Sequence, residues 1–129
     1  MQSLSILFAL ASTFVVTAEA CWSISSGTCT QSTYAGYQCV QSGNYPSNYN
    51  DNDRCSFHAT EDMTWQFVSF STERDFDTLT AYSVGLAYSG TGWASGTPAG
   101  SSRKYGTNGD DGRFEWRSDG SGPGSGWLI

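Results

Sequence analysis

The sequence predicts an all-β protein with an antiparallel β-sandwich fold. Aromatic residues make up 15% of the 129 residues and charged residues 14%, so the chain can fill a core with aromatic side chains. The 15 glycines require frequent turns, and short stretches of alternating apolar and polar residues lie between the turn formers. No stretch keeps the 3.6-residue period of an amphipathic helix. Short strands joined by turns are typical of two facing antiparallel sheets.

Residues 1–20 are predicted to be a secretory signal peptide rather than part of the fold. An apolar stretch ends at Ala18-Glu19-Ala20, which places small residues three before and one before a cleavage site at Cys21. The alternative, a membrane anchor, would need about 20 apolar residues. We therefore expect a secreted, extracellular protein with a single domain over residues 21–129.

The charge of the chain argues against nucleic acid as a partner. Six Lys and Arg residues stand against 12 Asp and Glu residues, a net charge of −6, and the basic residues are scattered. A phosphate backbone is bound by clustered basic residues, which this chain lacks. No stretch after the signal peptide is predicted to span a membrane. Nucleic acid is therefore not expected as a partner.

The first half of the mature chain divides into predicted strands and one long loop. Residues 21–39 are rich in Ser, Thr and Gly and are predicted to form one or two strands held by disulfides. Residues 42–53 are dense in turn formers, which predicts an irregular segment. A short strand is predicted at residues 54–60. Another is predicted at residues 63–72, where the alternation slips by one position after Phe67 and thereby indicates a β-bulge.

The second half is richer in glycine. A strand is predicted at residues 76–82, with Asp77, Leu79 and Ala81 on one face, and a short one within residues 85–91. Residues 92–112 are predicted to be a Gly-rich loop with a hairpin turn at Asn108-Gly109. Two more strands are predicted, at residues 113–117, where Phe114 and Trp116 share a face, and at residues 126–129.

Four groups of motifs, in order, resemble those of the CUB domain, an extracellular β-sandwich module. They are S-G-N-Y-P-S-N-Y at residues 42–49, F-V-S-F-S-T-E and F-D-T-L at residues 67–79, Y-S-G-T at residues 88–91, and F-E-W-R-S-D-G-S with G-W at residues 114–127. Their order and spacing agree with the family over residues 40–129. The resemblance implies a CUB-like jelly-roll sandwich.

The four cysteines are expected to form two disulfides, because an even number of cysteines in a secreted chain is typical of disulfide bonding. The pairing with the shorter loops, Cys39 with Cys55 and Cys21 with Cys29, is favoured. The alternative joins Cys29 to Cys55, which lie about as far apart in sequence as the first disulfide of CUB domains. The second disulfide of the family has no counterpart, because Asp75 occupies the first of its positions and no later cysteine follows.

The resemblance also implies a calcium site. In calcium-binding CUB domains the Glu of F-x-x-F-x-x-E and the Asp residues of Y-D-x-L and S-D-x-S hold the ion. The matching residues are Glu73, Asp77 and Asp119, and Tyr49 is implied to buttress them. Calcium binds several hard oxygen ligands, and three converging carboxylates would repel one another without a cation. Asp75 is a further candidate ligand, because Glu73 and Asp77 are closer in sequence than in other members.

The function implied by the resemblance is recognition. A Lys or Arg of a partner protein would bind carboxylate oxygens of the calcium-stabilised loops, with Tyr49, Glu73 and Asp119 as the ligand-binding surface. Carbohydrate is the other ligand class, since Trp93 and Tyr105 lie on Gly-rich loops where aromatic rings could stack on sugars.

Two other functions are alternatives to recognition. The first is a structural subunit of an extracellular matrix, coat or filament that self-associates or packs on a larger scaffold. The second is an enzyme, which the sequence disfavours, because His58 is the single His and no nucleophile-elbow motif surrounds any Ser.

Overall fold

The computed structural model describes residues 21–91, 98–102, 104–105 and 112–129, and in these residues it shows strands and no helix. The eleven strands of this part are β1 (Trp22–Gly27), β2 (Thr30–Tyr34), β3 (Tyr37–Gln41), β4 (Arg54–Ala59), β5 (Met63–Gln66), β6 (Ser69–Ser71), β7 (Thr78–Ala81), β8 (Leu86–Tyr88), β9 (Ala99–Ser102), β10 (Arg113–Arg117) and β11 (Gly126–Leu128). The predicted all-β class is confirmed. Within these same residues, no helix could span a membrane. The predicted signal peptide lies outside the described residues.

The strands form two larger sheets and one small sheet. The five-stranded sheet has the order β1-β4-β10-β7-β8, the four-stranded sheet has the order β2-β3-β11-β6, and β5 pairs with β9. Every pairing is antiparallel. Neighbours in the sheets are often far apart in sequence, so the fold depends on long-range pairing.

Aromatic side chains from the two larger sheets meet in one core. Phe57 on β4 and Trp116 on β10 belong to the five-stranded sheet, and Trp127 on β11 belongs to the four-stranded sheet. The Trp127 ring lies 5.5 Å from the Phe57 ring and 5.8 Å from the Trp116 ring, measured between centroids. Each of the three side chains is at most 1% exposed. Full burial stabilises the fold by roughly 1.5–3 kcal/mol for a side chain such as Phe, so these contacts hold the two sheets face to face as a sandwich.

The prediction of one bulged strand over residues 63–72 is wrong. The structure has two strands there, β5 and β6, and they belong to different sheets. Between them, Phe67 N donates to Pro98 O at 3.1 Å and Val68 N donates to Leu128 O at 2.8 Å. The two adjacent residues thus donate hydrogen bonds to different segments of the chain. The slip in the alternation marks a change of sheet rather than a bulge.

One strand was missed within the Gly-rich stretch. β9 was predicted to be loop, yet Ala99–Ser102 pairs with Met63–Gln66 in register. This segment has no alternating apolar pattern of its own, so its pairing partner determines its conformation. The hairpin turn predicted at Asn108-Gly109 lies outside the described residues.

The favoured disulfide pairing, Cys39 with Cys55 and Cys21 with Cys29, is contradicted. The structure joins Cys29 to Cys55, with 5.8 Å between their Cα atoms, and leaves Cys21 and Cys39 as thiols. The reason is the register of the β1–β4 ladder, in which Gly27 lies opposite Cys55 and so brings Cys29 alongside it. Cys39 belongs to β3, in the other sheet.

Candidate metal site

Three acidic side chains converge from three separate segments. Glu73 follows β6, Asp77 immediately precedes β7, and Asp119 follows β10. One oxygen of each carboxylate lies within 4.8 Å of the others. Asp77 is fully buried, and Glu73 and Asp119 are half-buried. The structure therefore brings together the three residues that the sequence implied as metal ligands.

Asp77 is the fixed member of the cluster. Its Oδ2 accepts a hydrogen bond from the Tyr49 hydroxyl at 2.5 Å, and its Oδ1 accepts one from Asp119 N at 2.8 Å. Its own backbone N donates to Glu73 O at 3.1 Å. Each carboxylate oxygen has two lone pairs, so one remains on each Asp77 oxygen for a cation.

Tyr49 links the cluster to the aromatic core. Its ring meets Trp116 edge to face, with centroids 4.9 Å apart, and its hydroxyl accepts a hydrogen bond from Glu73 N at 3.2 Å. Burial, together with the hydrogen bond to Asp77, raises the pKa of Tyr49 to about 12, so the hydroxyl stays protonated at neutral pH and donates to Asp77. The side chain is 2% exposed. Tyr49 thus has the geometry of a buttress, and its ring presents no face to a partner.

Glu73 carries the feature that most favours a bound cation. Its Oε2 is buried and has no hydrogen-bond partner. Burial raises the pKa of this carboxyl, and the charges of Asp119 and Asp77 add to the rise. A Cβ atom at Gly122 would lie 2.7 Å from the Glu73 carboxyl carbon, so the glycine leaves the room that this carboxyl occupies. An ionised carboxylate in this position lacks compensation from the residues around it.

Backbone and hydroxyl contacts hold the loop that carries Asp119. Asn52 N donates to Asp119 O at 2.7 Å. The buried Ser118 hydroxyl accepts from Asp53 N at 2.7 Å and donates to Asn50 O at 2.8 Å. Ser118 and Asp53 were not predicted from the sequence as supporting residues. The signal available for Ser118 was its place before Asp119 in the S-D-x-S motif.

Asp75, the further ligand candidate, is not part of the cluster. Among the described residues only Glu73, Asp77 and Asp119 form such a group. The Asp75 side chain is exposed. Its backbone has a positive φ of 68° and its N donates to Ser89 Oγ at 2.9 Å, so the tight turn between Glu73 and Asp77 carries Asp75 on the outside.

Of the two aromatic residues that could stack on sugars, the structure describes Tyr105. Trp93 lies outside the described residues. Tyr105 is 48% exposed, and its ring lies 4.9 Å from the ring of His58. His58 Nδ1 is 3.0 Å from Ser25 Oγ on the edge strand β1.

Comparison with protein-family models, with curated proteins and with solved structures finds no match for this chain. The resemblance to CUB domains therefore depends on the sequence motifs.

Proposed function

We propose that this protein is a secreted, non-enzymatic, CUB-like recognition module that binds a basic side chain of an extracellular protein through a calcium-stabilised loop edge. One observation carries the proposal. Glu73 Oε2 is buried without a hydrogen-bond partner, in a group of three carboxylates whose oxygens lie within 4.8 Å of one another.

The donor set suits calcium. Calcium takes roughly 6–8 oxygen ligands at about 2.3–2.6 Å in flexible geometry, and three carboxylates with water supply them. A zinc site would usually include His or Cys, and neither belongs to this group. Glu73, Asp77 and Asp119 would hold the ion, which would supply the positive charge that offsets their mutual repulsion.

The partner chemistry follows from the exposure of the ligands. Asp77 is fully buried, whereas Glu73 and Asp119 are half-buried, so the cluster is partly accessible from the surface. An ammonium or guanidinium group of a partner would donate hydrogen bonds to these carboxylates, because hydrogen bonds between charged groups are short and strong. The net charge of −6 favours the approach of a cationic partner at low salt.

Thermal unfolding with and without calcium tests the metal site. Millimolar calcium is expected to raise Tm relative to the value measured in chelator. A free ligand concentration of 100 times Kd stabilises the folded state by about 2.7 kcal/mol. Glu73→Gln and Asp119→Asn are expected to abolish this rise. Asp75→Asn is the matched control and should keep it, since the exposed Asp75 lies outside the group. An equal rise in all four proteins would refute the site.

Immobilised polylysine tests the partner chemistry. Wild-type protein and Asp75→Asn are expected to be retained in calcium and released by chelator, whereas Asp119→Asn should not be retained. The same loss of charge in the two variants separates binding at the site from general electrostatic attraction.

Sedimentation distinguishes the alternative function. A monomer fits a recognition module, and self-association at micromolar concentration without retention on polylysine would favour a structural subunit.

A further inference from the structure

The two cysteines outside the Cys29–Cys55 disulfide lie in different sheets but face one space. Cys21 immediately precedes the edge strand β1 of the five-stranded sheet, and Cys39 lies in β3 of the four-stranded sheet. Both line one open cavity of about 910 Å³, together with the side chains of Trp22 and Met63. The two cysteines thus border the same space from different sheets.

Hydrogen bonds hold the segments that carry these thiols close together. Gln31 Nε2 donates to Trp22 O at 2.7 Å, directly after Cys21. Gln31 adjoins Ser32, which is the Cα partner of Cys39 in the β2–β3 ladder. Cα atoms of β1 and β3 also come within 8 Å of each other. A disulfide spans Cα atoms about 4.4–6.8 Å apart, and these contacts place Cys21 and Cys39 on neighbouring segments of the backbone.

The electrostatics of the pair agree with this proximity. Burial raises the pKa of the Cys21 thiol, and the nearby charges of Glu61 and Cys39 add to the rise. Burial also raises the pKa of Cys39. Reactive cysteines usually have a lowered pKa, so these two have the character of structural rather than catalytic thiols.

We propose that Cys21 and Cys39 form a second disulfide, which joins the two sheets at the start of β1. The bond forms by thiol–disulfide exchange with a low-molecular-weight disulfide such as oxidised glutathione. One thiolate displaces a glutathione thiolate to give a mixed disulfide, and the second thiolate displaces the other. The two cysteines lose two protons and two electrons, and the oxidant takes them up as two glutathione thiols.

The consequence for the fold is an edge strand fixed at both ends. Cys29 follows β1 closely and is bonded to β4, and Cys21 would bond the other end to β3. An exposed edge strand can pair with other chains, and fixing it reduces that risk.

Disulfide mapping of the oxidised wild-type protein is the direct test. Trypsin is unsuitable, because no Lys or Arg lies between Cys21 and Cys39. Chymotrypsin on the denatured, unreduced chain cuts after Trp22, Tyr34 and Tyr37, and so separates the cysteines onto different peptides. The expected products are a Cys21–Cys39 cross-link and a Cys29–Cys55 cross-link, with no thiol available to a maleimide. Two alkylated thiols, or a Cys21–Cys29 cross-link, would overturn the proposal.

A double variant gives a second readout. Cys21→Ser with Cys39→Ser keeps the Cys29–Cys55 disulfide, so only the proposed bond is lost. Its Tm is expected to lie on the order of 10 °C below that of the oxidised wild-type protein, and equal Tm values would contradict the proposal. Should the variant fail to fold, the map of the wild-type chain still decides.

Discussion

Tyr49 shows how a single residue joins the core to the candidate metal site. The ring packs against Trp116, while the hydroxyl sits between Asp77 Oδ2 and Glu73 N. One side of this residue thus belongs to the hydrophobic interior and the other to a charged cluster. The position of two acidic groups therefore depends on how well an aromatic ring is packed.

Tyr49→Phe removes the hydroxyl and keeps the ring. Asp77 loses a buried donor and Glu73 N loses its acceptor, so the free energy of unfolding is expected to fall by about 1–3 kcal/mol. Urea unfolding measures it. Tyr37→Phe is the control, because Tyr37 is 75% exposed, and it should leave the midpoint unchanged. An equally unchanged midpoint for Tyr49→Phe would show that the hydroxyl contacts contribute nothing to stability.

At the scale of secondary structure, local alternation identified strands but not their partners. β10 was predicted with the correct buried face, since Phe114 and Trp116 are at most 1% exposed. Alternation reports which face is buried and does not report which sheet a strand joins. For that reason the change of sheet at Phe67 and the pairing of β9 were missed.

The candidate site likewise has some features that local sequence motifs predict and others that they do not. The three acids could be predicted, because each belongs to a short local motif. The choice between the two disulfide pairings and the support from Asp53 and Ser118 could not, because they depend on the register between β1 and β4 and on a contact between distant loops. Residue spacing alone does not determine either one.

Gly27, at the end of β1, allows a prediction of how tightly this strand packs against β4. Gly27 has φ of +98° and lies so close to β4 that a Cβ atom would overlap Arg54 O, whereas Gly36 has φ of +82° with nothing near its Cβ position. Gly36→Ala should cost about 1 kcal/mol of backbone strain, and Gly27→Ala roughly 3 kcal/mol or more, since it adds a steric clash. Denaturant unfolding compares them, and equal losses would mean that β1 moves away from β4 at little cost.

Without calcium, the free energy of unfolding of the whole domain should depend on pH through Glu73. Its pKa is raised in the native state by burial and by the charges of Asp119, Asp77 and Asp51. The native state therefore holds a proton that the unfolded chain releases, so the stability that Glu73 contributes is fully present below the ordinary Glu pKa of about 4.3 and is lost as pH rises through the native value.

Urea midpoints measured in chelator from about pH 4 to about pH 7 test this dependence. The wild-type urea midpoint should fall between the ordinary Glu pKa and the raised native pKa of Glu73. In the Glu73→Gln variant, the midpoint should change less with pH over this range. Calcium should have its largest effect at the upper end, where the carboxylate is ionised. A wild-type profile that matches Glu73→Gln in chelator would contradict the raised pKa.

The order of the strands also determines when the molecule can form. β10 lies between β4 and β7, and β11 lies between β3 and β6, so each larger sheet has an interior strand from residues 113–128. While the chain is being synthesised, β7 lacks its neighbour β10, and β6 lacks its neighbour β11. The core also lacks Trp116 and Trp127 until residues 113–128 have been synthesised. The domain can therefore complete its fold only after these residues have left the ribosome.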